Sequence, residues 1–172
     1  MGKEILILIE DGFRDEEVIY PYYRFKEAGF IVKVTGMEAG KEYKGKFGIP
    51  VKSDISIQEI NLSNTVAVII PGGNAPVKMR EIKEMVTLVK EAFYQNKIIA
   101  AICRGGLMLA EADIIKNKKV TGYIEIAGEL KSAGGIYLDE EAVIDGNLIT
   151  SRAPEDLPAF CSSILNLLKT GT

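Results

Sequence analysis

Histidine is absent from all 172 residues. That absence excludes a Ser-His or Cys-His relay within one chain, and any histidine-bound metal. Cysteine is nearly absent. Cys103 and Cys161 are too few for a disulfide framework or a cysteine-rich metal cluster, and reduced thiols in an intracellular protein are the natural reading. Long apolar runs are missing as well, and none approaches the roughly 18 residues of a membrane span. The run Ile5 to Ile9 is too short for a signal-peptide core and is followed by acidic residues. Leu6 stands where a myristoylation signal needs Ser or Thr. Together these features lead us to expect a cytoplasmic protein with no membrane partner. A basic excess is lacking too: 21 Lys and Arg face 24 Asp and Glu, for a net charge of −3. That balance argues against nucleic acid as a partner, and the cluster Lys116, Lys118, Lys119 reads as a solvated loop.

What is present is a globular composition, 47% apolar and 26% charged, in a length suited to one domain. No composition break, linker or internal repeat appears, so residues 1–172 are expected to form a single domain. Short apolar runs alternate with amphipathic stretches. Ile5–Ile9, Phe30–Val34, Thr65–Ile70 and Ile98–Ile102 read as strands, the central ones buried on both faces. Asp15–Ala28, Val77–Tyr94, Leu107–Ala112 and Pro154–Lys169 read as helices. Ala142–Asp145 and Leu148–Ser151 flank Gly146-Asn147, a hairpin signal. Lys41–Gly48 is polar and reads as either a hairpin or a surface excursion. Strand and helix in alternation predict an α/β fold, a mostly parallel sheet with helices on both faces and a C-terminal hairpin.

In such sheets the functional crevice lies beyond the C-terminal ends of the strands, which selects three places. After Ile102 come Cys103-Arg104-Gly105-Gly106, a sharp strand-to-helix turn at a nucleophile. A helix N-terminus and Arg104 would both favour the Cys103 thiolate; a buried structural cysteine is the alternative. Cys161 falls on the apolar stripe of the last helix and reads as core. After Ile70 come Pro71-Gly72-Gly73, either a plain turn or a loop whose backbone N–H groups reach a developing oxyanion. After Ile9 come Glu10 to Glu17, with no G-x-G-x-x-G phosphate loop. Pro21 cannot bond the carbonyl of Glu17, so the helix is expected to start at Pro21 or to kink beside Glu17. A partly buried Glu17 would serve as a general acid or base; the plainer reading is that Asp15, Glu16 and Glu17 are N-terminal charge matching the helix dipole.

Read together, these segments resemble the DJ-1/PfpI family over nearly the whole chain. The landmarks are Glu17-Val18-Ile19-Tyr20-Pro21, Pro71-Gly72-Gly73 with Ala75-Pro76, Ala100-Ala101-Ile102-Cys103 with Gly105, and Thr150-Ser151-Arg152-Ala153-Pro154 with Asp156-Leu157. The resemblance implies a flavodoxin-like three-layer sandwich and a homo-oligomer, dimer or higher. It implies that Cys103 is the reactive cysteine in a strained elbow and that Glu17 is the carboxylic acid bonded to its sulfur. The amides of Gly73 and Arg104 become the oxyanion hole. Arg152 lies in the family's Ser-Arg-x-Pro segment, where substrate binding is one role open to it. Two departures stand out. The peptidase-like branch places histidine after the cysteine, where this chain has Arg104. It also takes an acidic residue from a neighbouring subunit just past the glycine loop, where this chain has Val77.

The chemistry implied therefore runs on Cys103 and Glu17, with no metal or other cofactor. The sulfur adds to a small aldehyde or glycated substrate, and the carboxyl moves a proton between adjacent carbons. Water then releases a hydroxy acid, in glyoxalase- or deglycase-like fashion. The alternatives are a non-catalytic redox sensor or stress-protective protein acting through Cys103 oxidation, and an intracellular cysteine peptidase.

Overall fold

The computed structural model describes residues 2–171. β1 (Glu4–Leu8) leads to α1 (Asp15–Glu27), β2 (Ile31–Gly36), a hairpin of β3 (Glu42–Lys44) and β4 (Pro50–Lys52), and the short β5 (Ile55–Ser56). The middle of the chain is β6 (Thr65–Ile70), α2 (Ala75–Met79), α3 (Lys83–Tyr94), β7 (Ile98–Ile102) and α4 (Gly106–Glu111). Then come β8 (Lys119–Val120), α5 (Ala127–Ser132), β9 (Ile136–Tyr137), β10 (Val143–Asp145), β11 (Leu148–Ser151) and α6 (Leu157–Thr170).

Seven strands form one sheet in the order β10-β11-β7-β6-β1-β2-β5, parallel throughout except for the β10–β11 pair. That pair is the expected C-terminal hairpin, turning at Gly146 and Asn147. Helices α1 and α6 pack together over one face, and α2 to α5 cover the other. Layers on both sides explain the unbroken apolar runs: every residue from Ile5 to Ile9, from Ala67 to Ile70 and from Ile99 to Ile102 is buried. Cys161 is buried on the inner stripe of α6, between Phe160 and Ile164. No helix among the described residues is long and apolar enough to cross a membrane.

One expectation is corrected, and two open alternatives are resolved. The helix read over Val77–Tyr94 is two, because Ile82 takes extended backbone (φ −92°, ψ 102°) between them. The break lets α2 pack on α4, with Met79 fully buried, while α3 lies on β7. Pro21 does not start α1. The helix begins at Asp15 and carries Pro21 inside it, which places Glu17 in a helical first turn. The Glu17 carbonyl forgoes one intrahelical bond as the cost. Lys41–Gly48 belongs to the β3–β4 hairpin, which stands outside the main sheet.

Candidate active site

β7, β6 and β1 are neighbours in the sheet, and the chain leaves β1 toward one edge and β6 toward the other. The three selected segments therefore meet where an open α/β sheet has its natural crevice. Hydrogen bonds stitch the loops after β1 and β6 together. Arg14 N–H donates to the Gly72 carbonyl at 3.1 Å, Asn74 N–H to the Gly12 carbonyl at 2.8 Å, and Phe13 bridges to Gly73. Gly72 is the tightest joint. A Cβ built there would lie 2.6 Å from Cys103 Cβ, 2.7 Å from Glu17 Oε1 and 2.9 Å from Arg104 N, so only glycine fits between the three. Gly73 turns the chain at φ 77°, in the left-handed region that favours glycine.

Cys103 leaves β7 and opens a single 3-10 turn, Cys103–Gly105, before α4. Its φ of 59° is unusual for a residue with a side chain, so the elbow is strained. Its carbonyl accepts the Tyr123 N–H at 3.1 Å. The side chain is half-buried, and the nearby amides of Gly73 and Arg104 both favour its thiolate. The thiol is nonetheless pushed up to about 11. Burial is the largest cause and the Glu17 charge the second, and together they outweigh the two amides and the Arg104 charge. This corrects the expectation of a lowered thiol. Arg104 contributes least because its guanidinium lies over the Tyr123 ring and pairs with Glu125 at 3.0 Å.

Glu17 is fully buried, and its Oε1 accepts the Gly72 N–H at 2.8 Å. Oε2 is buried with no hydrogen-bond partner among the described residues, so the expected bond from this carboxyl to the Cys103 sulfur is not formed. Burial raises the carboxyl to about 7, against the lowering influence of the Gly72 N–H and the Arg14 charge. The negative charges of Glu16 and Glu155 raise it a little further. An acid that titrates near neutrality beside a nucleophile can both accept and return a proton. A proton on Glu17 also removes the charge that opposes the thiolate. The charge state of Glu17 thus bears directly on that of Cys103.

Arg152 follows Ser151, which pairs with Ile102, so it leaves β11 beside the elbow. Its guanidinium bonds both oxygens of Asp156, at 2.9 and 3.1 Å, and Asp139 at 3.0 Å. These bonds clamp the start of α6 to the stretch before β10. Val77 is 48% exposed in α2. Sequence reasoning passed over Gly72 as the contact between Cys103 and Glu17, and over Arg14. The doubled glycine was a signal for the first; nothing in the spacing marked the second.

The sequence profile of the DJ-1/PfpI family matches residues 3–167. "Deglycase PfpI" of Pyrococcus furiosus is 39% identical over 166 residues, covering 96% of this chain and 99% of its own. "Protein/nucleic acid deglycase 2" of Escherichia coli is 39% identical over 170 residues, covering 98% of this chain and 99% of its own. Among solved structures, a two-domain protein from Anabaena variabilis, with DJ-1/ThiJ/PfpI-like and ferritin-like domains, superposes with a TM-score of 0.95 at 45% identity. The match covers 97% of this chain and 48% of that one.

Proposed function

This chain belongs to the DJ-1/PfpI family, and on that premise we propose that it acts on small reactive aldehydes through Cys103 and Glu17. The observation that carries the reading is the buried Glu17 carboxyl, held near 7 and separated from Cys103 only by the width of Gly72. Ionised Glu17 takes the thiol proton as sulfur bonds the aldehyde carbon. The amides of Gly73 and Arg104 receive the developing oxyanion, and Glu17 returns the proton to give a hemithioacetal. On a 2-oxoaldehyde, Glu17 then removes the hydrogen of the thiol-bearing carbon and delivers a proton to the adjacent one. That carbon pair is oxidised and reduced internally, leaving a thioester. Water cleaves it to a 2-hydroxy acid and the free thiol. The raised thiol fits this sequence, because the proton is needed on Glu17 only once sulfur attacks. The deglycase names of two relatives support the same substrate class.

The protein works in the cytoplasm, where thiols stay reduced, and as a homo-oligomer. A groove of about 1590 Å³ between α1, the β3–β4 hairpin and the start of α6 exposes Tyr20, Tyr23 and Ile49. It also carries Arg24 and Lys26 alongside Glu27, charges of both signs that a second copy can match.

The test is methylglyoxal consumption, with catalase present, by the wild type, Cys103→Ser and Glu17→Gln. Both variants should fall to background while keeping the wild-type circular dichroism spectrum. Without a proton carrier the expected loss is about 10²-fold or more. Turnover retained in either variant refutes the paired mechanism.

A further inference from the structure

Three arginines lie near the elbow, each paired with a carboxylate, and they differ in how they are mounted. Arg152 is held by two carboxylates, and Arg104 is turned to Glu125. Arg14 is different. Its backbone is bonded to Gly72, directly beside Cys103 and Glu17. Its guanidinium lies 5.0 Å from the centre of the Phe47 ring, so the side chain has a fixed mount. Nε and Nη2 each donate to Glu16 at 3.1 Å, a two-pronged grip on a carboxylate that is itself 48% exposed. Lys46 stands at the same ring, 5.8 Å from its centre, and forms no ion pair among the described residues. Its backbone N–H is tied to the Phe13 carbonyl at 2.8 Å, which holds it to the loop that carries Arg14. The positive charge of Arg14 reaches both reacting groups, since Glu17 and Cys103 each act on its guanidinium.

We propose that Arg14 and Lys46, mounted on Phe47, bind an anionic group of the substrate. The preferred substrates are then carbonyl compounds bearing a carboxylate or phosphate, rather than neutral ones such as methylglyoxal. This rests on the aldehyde reading for its chemistry, but the binding site does not. Glu16 occupies the Arg14 fork as a substrate carboxylate would, and its exposure makes it displaceable, because an exposed pair holds weakly. The planar fork of Arg14 suits bidentate oxygen anions, and Lys46 adds a mobile point charge. Glu155 lies near Glu17 and opposes the same anion, so recognition depends on the two cations outweighing it.

The experiment compares alkylation of Cys103 by iodoacetate and by iodoacetamide, nearly isosteric reagents that differ in charge. In each, sulfur displaces iodide, a carbon–sulfur bond replaces carbon–iodine, and the thiol proton passes to Glu17 or buffer. Mass spectrometry assigns the product to Cys103 rather than Cys161. At low salt the iodoacetate-to-iodoacetamide rate ratio should exceed that of the urea-unfolded chain by about threefold or more. Arg14→Gln combined with Lys46→Gln should return it to the unfolded value, and Glu16→Gln should raise it. A general loosening of the site would move both reagents together and could not produce opposite shifts in the ratio. Lys46→Gln alone, at an exposed position, and about 0.5 M salt on the wild type should each lower the ratio without risk to folding. Protection by inorganic phosphate or by acetate distinguishes the two anion types. In turnover, 4,5-dioxovalerate should be consumed with higher kcat/KM than its methyl ester. A ratio that salt and the Lys46→Gln variant leave unmoved overturns the anion site, even if methylglyoxal is consumed. A ratio that responds as expected, with no aldehyde consumed, upholds the site and sinks the aldehyde reading instead.

Discussion

Burial of Glu17 costs the fold stability whenever the carboxyl is ionised. Its pKa is 4.5 in an exposed setting and about 7 here, so the folded state binds the proton more tightly. The resulting stability is fully present below 4.5 and falls as pH rises to about 7, beyond which no more is lost. At 1.36 kcal/mol per pKa unit the total is about 3 kcal/mol. Glu17→Gln cannot titrate. Between about pH 4 and pH 8 the wild type should therefore lose about 3 kcal/mol more unfolding free energy than the variant does. Urea denaturation at both pH values measures this, and the remaining carboxylates, common to both proteins, cancel in the difference. Equal losses would mean that Glu17 titrates as an exposed acid. The position of Cys103 was legible, because a buried strand running into Arg-Gly-Gly leaves few other places for a nucleophile. The direction of its titration was not. It depends on how deeply three strand ends bury the sulfur, and on Arg104 finding Glu125, twenty-one residues away.

Among the elements, the β3–β4 hairpin, like the β8–β9 pair, pairs with no strand of the main sheet. Asp15 supplies the anchor. Its two oxygens accept the Phe47 N–H at 2.9 Å and the Ile49 N–H at 3.0 Å, and the side chain is buried. The hairpin in turn bonds the Gly12–Phe13 loop, through Gly12 N–H to Lys44 and Lys46 N–H to Phe13, and that loop holds Gly72 to Asn74. Asp15→Ala leaves two amides without their charged acceptor, which should cost about 3 kcal/mol. Hydrogen exchange at Phe47 and Ile49 should accelerate before that of the β1 amides does. Asp15→Asn, which keeps one acceptor, should fall between. Exchange at the two amides unchanged in Asp15→Ala would show the hairpin to be held by other contacts. In the sequence Asp15 reads as N-terminal charge on α1, which is correct but partial: periodicity locates a helix and its polar cap, whereas the 32-residue reach to Phe47 exists only in the fold. The break at Ile82 was hidden for the same reason. Apolar spacing continues across it, and only the packing of α2 on α4 and of α3 across both β7 and α4 requires two directions.

At the scale of the whole molecule, alternating buried runs and amphipathic stretches were enough to read a parallel, doubly covered sheet. The two-residue strands β5, β8 and β9 carry too few residues to show any period. Composition decides one further matter at this scale, because a residue type missing from the chain is missing from every assembly of it. A cysteine peptidase must protonate a departing amine, since an amide anion does not leave unaided. No copy of this chain can offer a histidine for that step. Arg104, at the position next to the sulfur, stays protonated at any usable pH and is engaged with Glu125. Val77 is exposed but apolar, and it orients no base, whichever copy it faces. Glu17 is buried against Gly72, on the Cys103 side of that loop, so reaching a leaving nitrogen on the far side of a peptide carbonyl would need a second geometry. Hydrolysis of a fluorogenic peptide library by the wild type should therefore not exceed that by Cys103→Ser. Arg104→His with Val77→Glu should gain activity only in an assembly that brings position 77 of one copy beside position 104 of another. Robust Cys103-dependent peptide cleavage by the unmodified protein would show that a carboxyl alone can serve both sulfur and leaving group, and would displace the aldehyde reading.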